Sequence, residues 1–342
     1  MRKQLTLTFC TLSVLLNLQA NSETNFAPRI EGTIRGKYEY FTELDQHRFQ
    51  VRNARFNIRG NFNKISSYKA EIDLSDEGRT RMLDAFVQLR PQDNLTITLG
   101  QQKIPFSTDN LRSPHNFYFA NRSFMGKQLT NLRDVGVTFN LINNKLVPFD
   151  FSTGVYNGMG LYTQNKTLTL KEMSYVARLV LFQNNIISPS VNFNTIMPGN
   201  IRMNFYNIGF EYNNNNKLHL EAEYLFKTYH HQPNSEHDIK YTTGFLILGS
   251  YSIKTPKFKH IHQIMPVLRF DGMSNSLRYE IINANSIHLS NHETRSRIST
   301  GINISLADRP FKNDIRLNYE LYFWENNLYT DSKLVLEYMI RF

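Results

Sequence analysis

The chain of 342 residues has a single cysteine, Cys10, and it lies in the N-terminal leader. Arg2 and Lys3 open that leader, a mainly apolar stretch from Leu5 to Leu18 follows, and Ala20 offers a cleavage position. The pattern is that of a secretory signal peptide over 1–20, too short in its apolar part to span a bilayer. Leu18 at the position three before the cut leaves the exact cleavage site open. Cys10 sits mid-stretch before Thr11, which argues against a lipid-attachment site. Cutting after Ala20 leaves 322 residues without cysteine, so the exported chain uses no disulfide. No apolar run beyond residue 20 approaches the roughly 20 residues of a transmembrane helix. No Pro- or Gly-rich hinge and no shift of composition divides 21–342, although soluble cores split into domains beyond roughly 250–300 residues. No Gly-x-Ser-x-Gly elbow and no His-Glu-x-x-His motif occur, which argues against a barrel lipase or protease.

Negative charge is in short supply: 39 Lys and Arg face 29 Asp and Glu, a net charge of +10 that falls to +8 when Arg2 and Lys3 leave. Such a balance raises nucleic acid as a partner. Export argues against that and leaves anionic lipopolysaccharide, membrane lipid and small anionic solutes.

What the chain has is alternation with a period of two. Leu334, Leu336, Tyr338, Ile340 and Phe342 share one face, and Lys333, Val335, Glu337, Met339 and Arg341 the other. Ile315, Leu317, Tyr319, Leu321 and Phe323 alternate with Arg316, Asn318, Glu320 and Tyr322 in the same way. An apolar face for lipid and a polar face for water is the signature of a transmembrane strand. The rhythm predicts sixteen strands: 29–40, 48–62, 67–75, 82–91, 94–101, 132–142, 147–157, 171–183, 188–196, 202–213, 217–229, 239–254, 261–271, 294–306, 313–325 and 331–342. Pro189 and Pro198 make the ninth the weakest, and losing it would break the even count. Asn143-Asn144, Asn184-Asn185, 213–216 and Pro91-Gln92-Asp93 read as short turns, with longer loops near 41–47, 102–131, 158–170, 229–238 and 272–293. The expected fold is an all-β antiparallel barrel of about sixteen strands, both ends periplasmic, wide enough for an aqueous lumen. Tyr38, Tyr40, Phe41, Phe226, Tyr229, Tyr322, Phe323 and Trp324 fall at strand ends and are expected at headgroup level. The C-terminal Phe342 with its alternating apolar residues resembles the signal read by the barrel-assembly machinery.

Four segments carry a more specific likeness. They are Phe49-Gln-Val-Arg52-Asn-Ala-Arg55-Phe-Asn-Ile-Arg59-Gly60, Leu99-Gly100-Gln-Gln-Lys103-Ile-Pro105-Phe106-Ser107, Arg133-Asp134-Val-Gly136-Val137 and Gly154-Val-Tyr156-Asn-Gly158. Over about 30–160 the chain resembles the phosphate-selective porin O and P family. The resemblance implies a sixteen-stranded outer-membrane barrel of a Gram-negative bacterium, a homotrimer, and an infolded third loop that narrows a water-filled channel for passive diffusion. It leaves the solute open, so a general non-selective porin stays an alternative.

The segment 102–131 carries Lys103, Arg112, Arg122 and Lys127 against Asp109, a net +3, and His115. Folded into a pore, it would focus positive potential at the narrowest point. On the wall, parity turns Arg35, Lys37, Arg55, Arg59, Lys69, Arg178, Arg269, Arg295, Arg297 and Arg316 inward, with Glu31, Glu71, Asp73, Asp84, Asp134, Glu211, Glu221, Glu223, Asp271 and Glu320. Ten against ten is a paired wall, most of it structural. Anion preference is therefore expected from Lys103, Arg112, Arg122 and Lys127, then from Arg55 and Arg59. Lys254, Lys257, Lys259, Arg309 and Lys312 read as solvated turns. His230, His231 and His237 share one loop and His260 and His262 another; polar loops of this kind are solvated, and no metal or cofactor is assigned. A TonB-linked transporter needs a plug for which strands beginning near 29 leave no room, and a fatty-acid channel needs an apolar lumen.

Overall fold

The computed structural model describes residues 26–76, 79–130, 133–158, 160, 167, 169, 171–183, 185–198, 201–214, 217–230, 239–283, 286–307, 312–325 and 332–342. The signal-peptide reading of 1–20, His231, His237 and Arg309 lie outside the described residues.

The strands are β1 (Arg29–Phe41), β2 (Gln46–Asn61), β3 (Ser66–Asp76), β4 (Arg79–Gln92), β5 (Leu95–Lys103), β6 (Arg133–Asn143), β7 (Phe149–Tyr156), β8 (Ser174–Leu181), β9 (Ile187–Ile196), β10 (Arg202–Asn214), β11 (Leu218–His230), β12 (Tyr241–Tyr251), β13 (Ile253–Lys254), β14 (Gln263–Met273), β15 (Ser276–Asn283), β16 (Ser286–His292), β17 (Arg295–Ser305), β18 (Lys312–Trp324) and β19 (Lys333–Arg341). β13 continues β12 beyond Ser252, and β15 with β16 forms a separate hairpin, so sixteen antiparallel strands make the barrel. Each pairs with its sequence neighbours, and β1 closes the ring on β19 from Thr33↔Arg341 to Phe41↔Lys333. Among the described residues closure leaves no barrel strand with an unpaired edge, which a bilayer requires.

The alternation read from the sequence sorts the side chains. In β19, Leu334, Leu336, Tyr338 and Ile340 are exposed, while Val335, Glu337 and Met339 are buried. Ile30, Ile34, Val191, Ile208, Leu220, Ile247 and Leu268 likewise stand outward. A large exposed apolar band is explained by lipid. Among the described residues no helix is long and apolar enough to cross a membrane; the strands do the crossing.

The ninth strand is present in spite of its prolines. Pro189 lies within β9 opposite Phe210, and β9 pairs with both β8 and β10. The even count follows, and the start of β1 and the end of the last strand share one end of the barrel: Gly32 N–H donates to the Phe342 carbonyl at 2.8 Å, and Phe342 N–H to the Gly32 carbonyl at 3.1 Å. The Phe342 ring occupies the space a Cβ at position 32 would need. Glycine there lets the last residue lie over the seam.

Three expectations change. The long loop expected near 41–47 is only the four residues between Phe41 and Gln46, because β2 starts earlier. The 272–293 loop contains the β15–β16 hairpin, paired from Ser276↔His292. Tyr229 and Tyr322 do not join the outer girdle. Each shares the parity of an inward polar residue, and each hydroxyl finds a partner inside: Tyr229 with Thr242 at 3.0 Å, Tyr322 donating to Glu320 at 2.8 Å. A buried phenol needs such a partner.

Candidate functional site

The long connection from β5 to β6 begins after Lys103. Gly100 holds φ +131°, and a Cβ there would meet the Ala85 carbonyl and Phe86 Cα. Ile104, Pro105, Phe106 and Ser107 are then all buried, and Ser107, at φ +67°, caps the helical turn Thr108–Leu111 by accepting from Asn110 N–H at 3.3 Å. Lys103 Nζ donates to the carbonyls of Asn110, Leu111 and Arg112 at 2.8, 3.3 and 3.0 Å. The Lys-x-Pro-Phe-Ser run is thus a device for turning the chain and fixing the turn. The Asp134 and Gly158 segments are tied together as well, Gly158 N–H donating to Asp134 Oδ2 at 2.6 Å.

The segment 104–130 makes two kinds of contact with inward-facing wall side chains. Ile104, Phe106, Phe119, Phe124, Met125 and Leu129 join one apolar cluster with Ile196, Met203, Phe205, Leu225 and Leu246 of β9 to β12. Phe106 meets Phe205 edge to face at 5.9 Å. Burying each such side chain contributes about 1.5–3 kcal/mol. From the other side, wall side chains grip its backbone. Arg35 donates to the Ala120 carbonyl at 2.7 Å, Arg269 to Asn121 at 2.9 Å, Arg297 to Arg122 at 2.8 Å, and Asn303 to Tyr118 at 2.8 Å. Asp271 accepts from Phe124 N–H at 2.8 Å and Glu223 from Asp109 N–H at 2.7 Å. Asn121 bridges Glu39 and Glu320 at 3.1 and 3.0 Å.

The residues expected to carry positive potential have different surroundings. Lys103 holds the three carbonyls just described. Arg112 is nearly buried and ion-paired with Glu221 and, at 3.4 Å, Asp109. Arg122 donates to the Asp109 carbonyl at 3.3 Å and lies over the Phe117 ring at 5.5 Å. Lys127 is the exposed one, its side chain with no hydrogen bond or ion pair among the described residues. Arg55 pairs with Asp73 at 2.9 Å and Glu71 at 3.5 Å, and Arg59, half exposed, pairs with Glu31.

Below the segment, toward the end carrying the termini, a cavity of about 570 Å³ is lined by Arg29, Arg55, Arg59, Lys69, Arg90 and Arg341 against Glu31 and Glu71. Ser113, Pro114 and His115 of the segment form part of its lining. Arg55 and Arg59 therefore meet in one cavity, while Lys103, Arg112, Arg122 and Lys127 are not among its lining residues. Arg29 and Arg90 carry no ion pair among the described residues.

The inward charges counted from the sequence leave out Glu39, Lys227, Arg133 and Glu337, although Glu337 is set there on the polar face of the last strand; all four are inward. Glu337 joins Arg35 at 2.5 Å and Arg316 at 2.6 Å. Arg133 joins Asp84 at 3.0 Å. Strand parity was the signal for Glu39, Lys227 and Glu337, whereas Arg133, at the start of β6, shares the parity of the exposed Phe139 and Leu141. Arg52 gave no such signal: a bulge in β2 opposite Arg35 and Gly36 leaves it out of register.

Residues 32–182 match the model of the family described as phosphate-selective porin O and P, spanning β1 to β8. No match is found among curated proteins. Solved structures share the fold at low identity. An anion-selective porin from Comamonas acidovorans is 10% identical, with 92% of this chain and 98% of that one covered and a TM-score of 0.60. The outer-membrane channel DcaP of Acinetobacter baumannii is 12% identical, over 92% and 97%, at 0.61. OmpT of Vibrio cholerae, described in a trimer form, is 10% identical, over 92% and 98%, at 0.58. The family match and the closed sixteen-stranded barrel support the resemblance read from the sequence and point to an outer-membrane porin of the Gram-negative type, a channel rather than an enzyme.

Proposed function

We propose that this porin is an anion-preferring diffusion channel for small solutes, phosphate or related anions among them, narrowed by segment 104–130 folded into the lumen. The observation that carries the reading is the cavity beside the segment, where six cationic side chains face two carboxylates. Arg55, Arg59, Lys69 and Arg341 are ion-paired there, and Arg29 and Arg90 are the surplus that sets the sign of the local potential. In a confined channel that surplus acts through a lower effective dielectric than in bulk water. Arg55, Arg59 and Arg90 present guanidinium groups suited to bidentate oxyanion contact. The segment contributes Lys127 as an exposed charge; Lys103, Arg112 and Arg122 contribute potential while holding the segment in shape. The family description and the anion selectivity of the Comamonas acidovorans porin support the same direction. The trimer form of the Vibrio cholerae relative supports a homotrimer here.

The test is the reversal potential across a planar bilayer in a potassium chloride gradient. A chloride-selective potential, with phosphate added to one side reducing chloride current in a saturable way, is the expected result. A cation-selective or ideally non-selective potential would return the protein to the class of general porins. Light scattering of the detergent-solubilised folded protein reads the oligomer, with three chains expected.

A further inference from the structure

Glu211 on β10 and His219 and Glu221 on β11 converge at one place on the inner wall. One donor atom from each lies within 4.8 Å of the others. His219 Nε2 is 3.3 Å from Glu221 Oε2. Two ligands at about 2.0–2.1 Å from a tetrahedral zinc ion stand about 3.4 Å apart, so this pair already has the spacing of a shared ion. The Glu221 side chain is fully buried, yet its Oε1 has no hydrogen-bond partner. A buried, unpaired carboxylate oxygen is costly and calls for a cation or donor. The His219 ring is set in place by stacking on Tyr118, centroids 5.0 Å apart and planes 14° off parallel. Glu211 is about one third exposed, which opens the cluster to water. The cation now nearest is the chain's own: Arg112 pairs with Glu221 and stands 4.0 Å from Glu211.

We propose that Glu211, His219 and Glu221 form a binding site for a divalent transition ion of the zinc class, and that the ion competes with Arg112 for Glu221. Two carboxylates neutralise the dication, and the imidazole favours zinc or copper over calcium and magnesium, which take oxygen donors. Water completes the coordination. Arg112 would then keep Asp109, 3.4 Å away, and lose its hold on β11. That loss loosens segment 104–130 on this side, a consequence that rests on the reading of the segment as the narrowing element.

Calorimetric titration of the folded, full-length barrel in detergent with zinc chloride tests the site. We expect zinc to bind with magnesium giving no comparable heat. His219→Ala and Glu211→Gln, each checked for the heat-modifiable folded form, should weaken binding by at least about tenfold. Arg112→Gln should tighten it, because the competing cation is gone. Absence of zinc binding, or unchanged binding in both folded variants, overturns the site. Weaker binding in Arg112→Gln overturns the competition. Zinc-free reversal potentials test the channel reading independently. A zinc-induced change in conductance that His219→Ala abolishes joins the two.

Discussion

The two sides of the inner wall use arginine in different ways. On β1, β14, β17 and β18 the side chains of Arg35, Arg269, Arg297 and Arg316 are at most 3% exposed, and each meets both a carboxylate and a backbone carbonyl of segment 104–130. On β2, Arg55 and Arg59 are 17% and 50% exposed and look into the cavity. Both groups occupy inward-facing positions on the barrel wall. What separates them is what lies opposite. A buried guanidinium must have its charge compensated and its donors satisfied, and the carbonyls of residues 115–122 supply acceptors that no open wall has. Facing the cavity, Arg59 keeps half its side chain exposed, while Arg55 is held by Asp73 and Glu71 without a backbone carbonyl of the segment.

The comparison is broken most forcefully on the segment-bearing side. Arg297 joins Asp271 at 3.0 Å, Glu320 at 3.2 Å and the Arg122 carbonyl. Arg297→Met leaves two buried carboxylates with too little positive charge. A loss of about 3–5 kcal/mol is expected, read as a lower unfolding midpoint in urea, together with larger and noisier single-channel steps as the segment loosens. A midpoint unchanged from wild type would mean that these pairs support nothing. Next in size is Phe106→Ala. It removes the apolar anchor against Phe205 and should cost about 3 kcal/mol, toward the low end for an aromatic deletion because the neighbouring side chains can close in. It too should raise conductance, with little change in ion selectivity since no charge moves. A large selectivity change in this variant would show that segment position and charge cannot be separated.

The barrel itself was legible because its signal is repetitive. Each strand states the same inside–outside alternation, and one misplaced boundary does not erase it; β9 survived its two prolines for that reason. The lumen was less legible. Parity told which charges face inward but not which of them meet a loop, since contacts such as Arg297 with the Arg122 carbonyl join residues 175 apart. Lys103 reads as a pore charge from composition, and only the turn at Pro105 and Ser107 brings three carbonyls around it. The β15–β16 hairpin was missed because it lies outside the barrel rhythm, and Tyr229 and Tyr322 because strand-end position was weighed above parity.

On the open side, Arg55→Gln with Arg59→Gln sharpens the comparison. Asp73 keeps Asn53 and Ser75 as donors at 3.0 and 2.6 Å, and the Arg59–Glu31 pair is screened by water. Stability should therefore fall by no more than about 1 kcal/mol, far less than for Arg297→Met. Reversal potential should nevertheless move toward cation preference, measured in the same salt gradient. If selectivity holds while Arg297→Met abolishes it, the preference belongs to the bearing wall after all.

The smallest expected effect concerns Lys127, the segment's exposed cation. Its ammonium touches water but is enclosed by protein, and that partial burial, followed by repulsion from Arg52, Lys333, Arg297 and Arg295, pushes its pKa down to about 8. The sign follows directly. Below pH 7 Lys127 is charged and would add to the proposed anion preference; as pH rises through about 8 the proton leaves and that contribution should fade, while the arginines stay charged throughout. Stability moves the opposite way. The unfolded lysine still binds its proton up to about pH 10.4, so over the window from about 8 to 10 the unfolded state holds more protons and the folded state gains with rising pH. Reversal potentials measured from pH 6.5 to 9.5 should show a modest loss of chloride preference centred near 8 in wild type. Lys127→Gln should start from the lower preference and stay flat across that step. A step of equal size in the variant would assign the titration to another group and leave Lys127 a spectator.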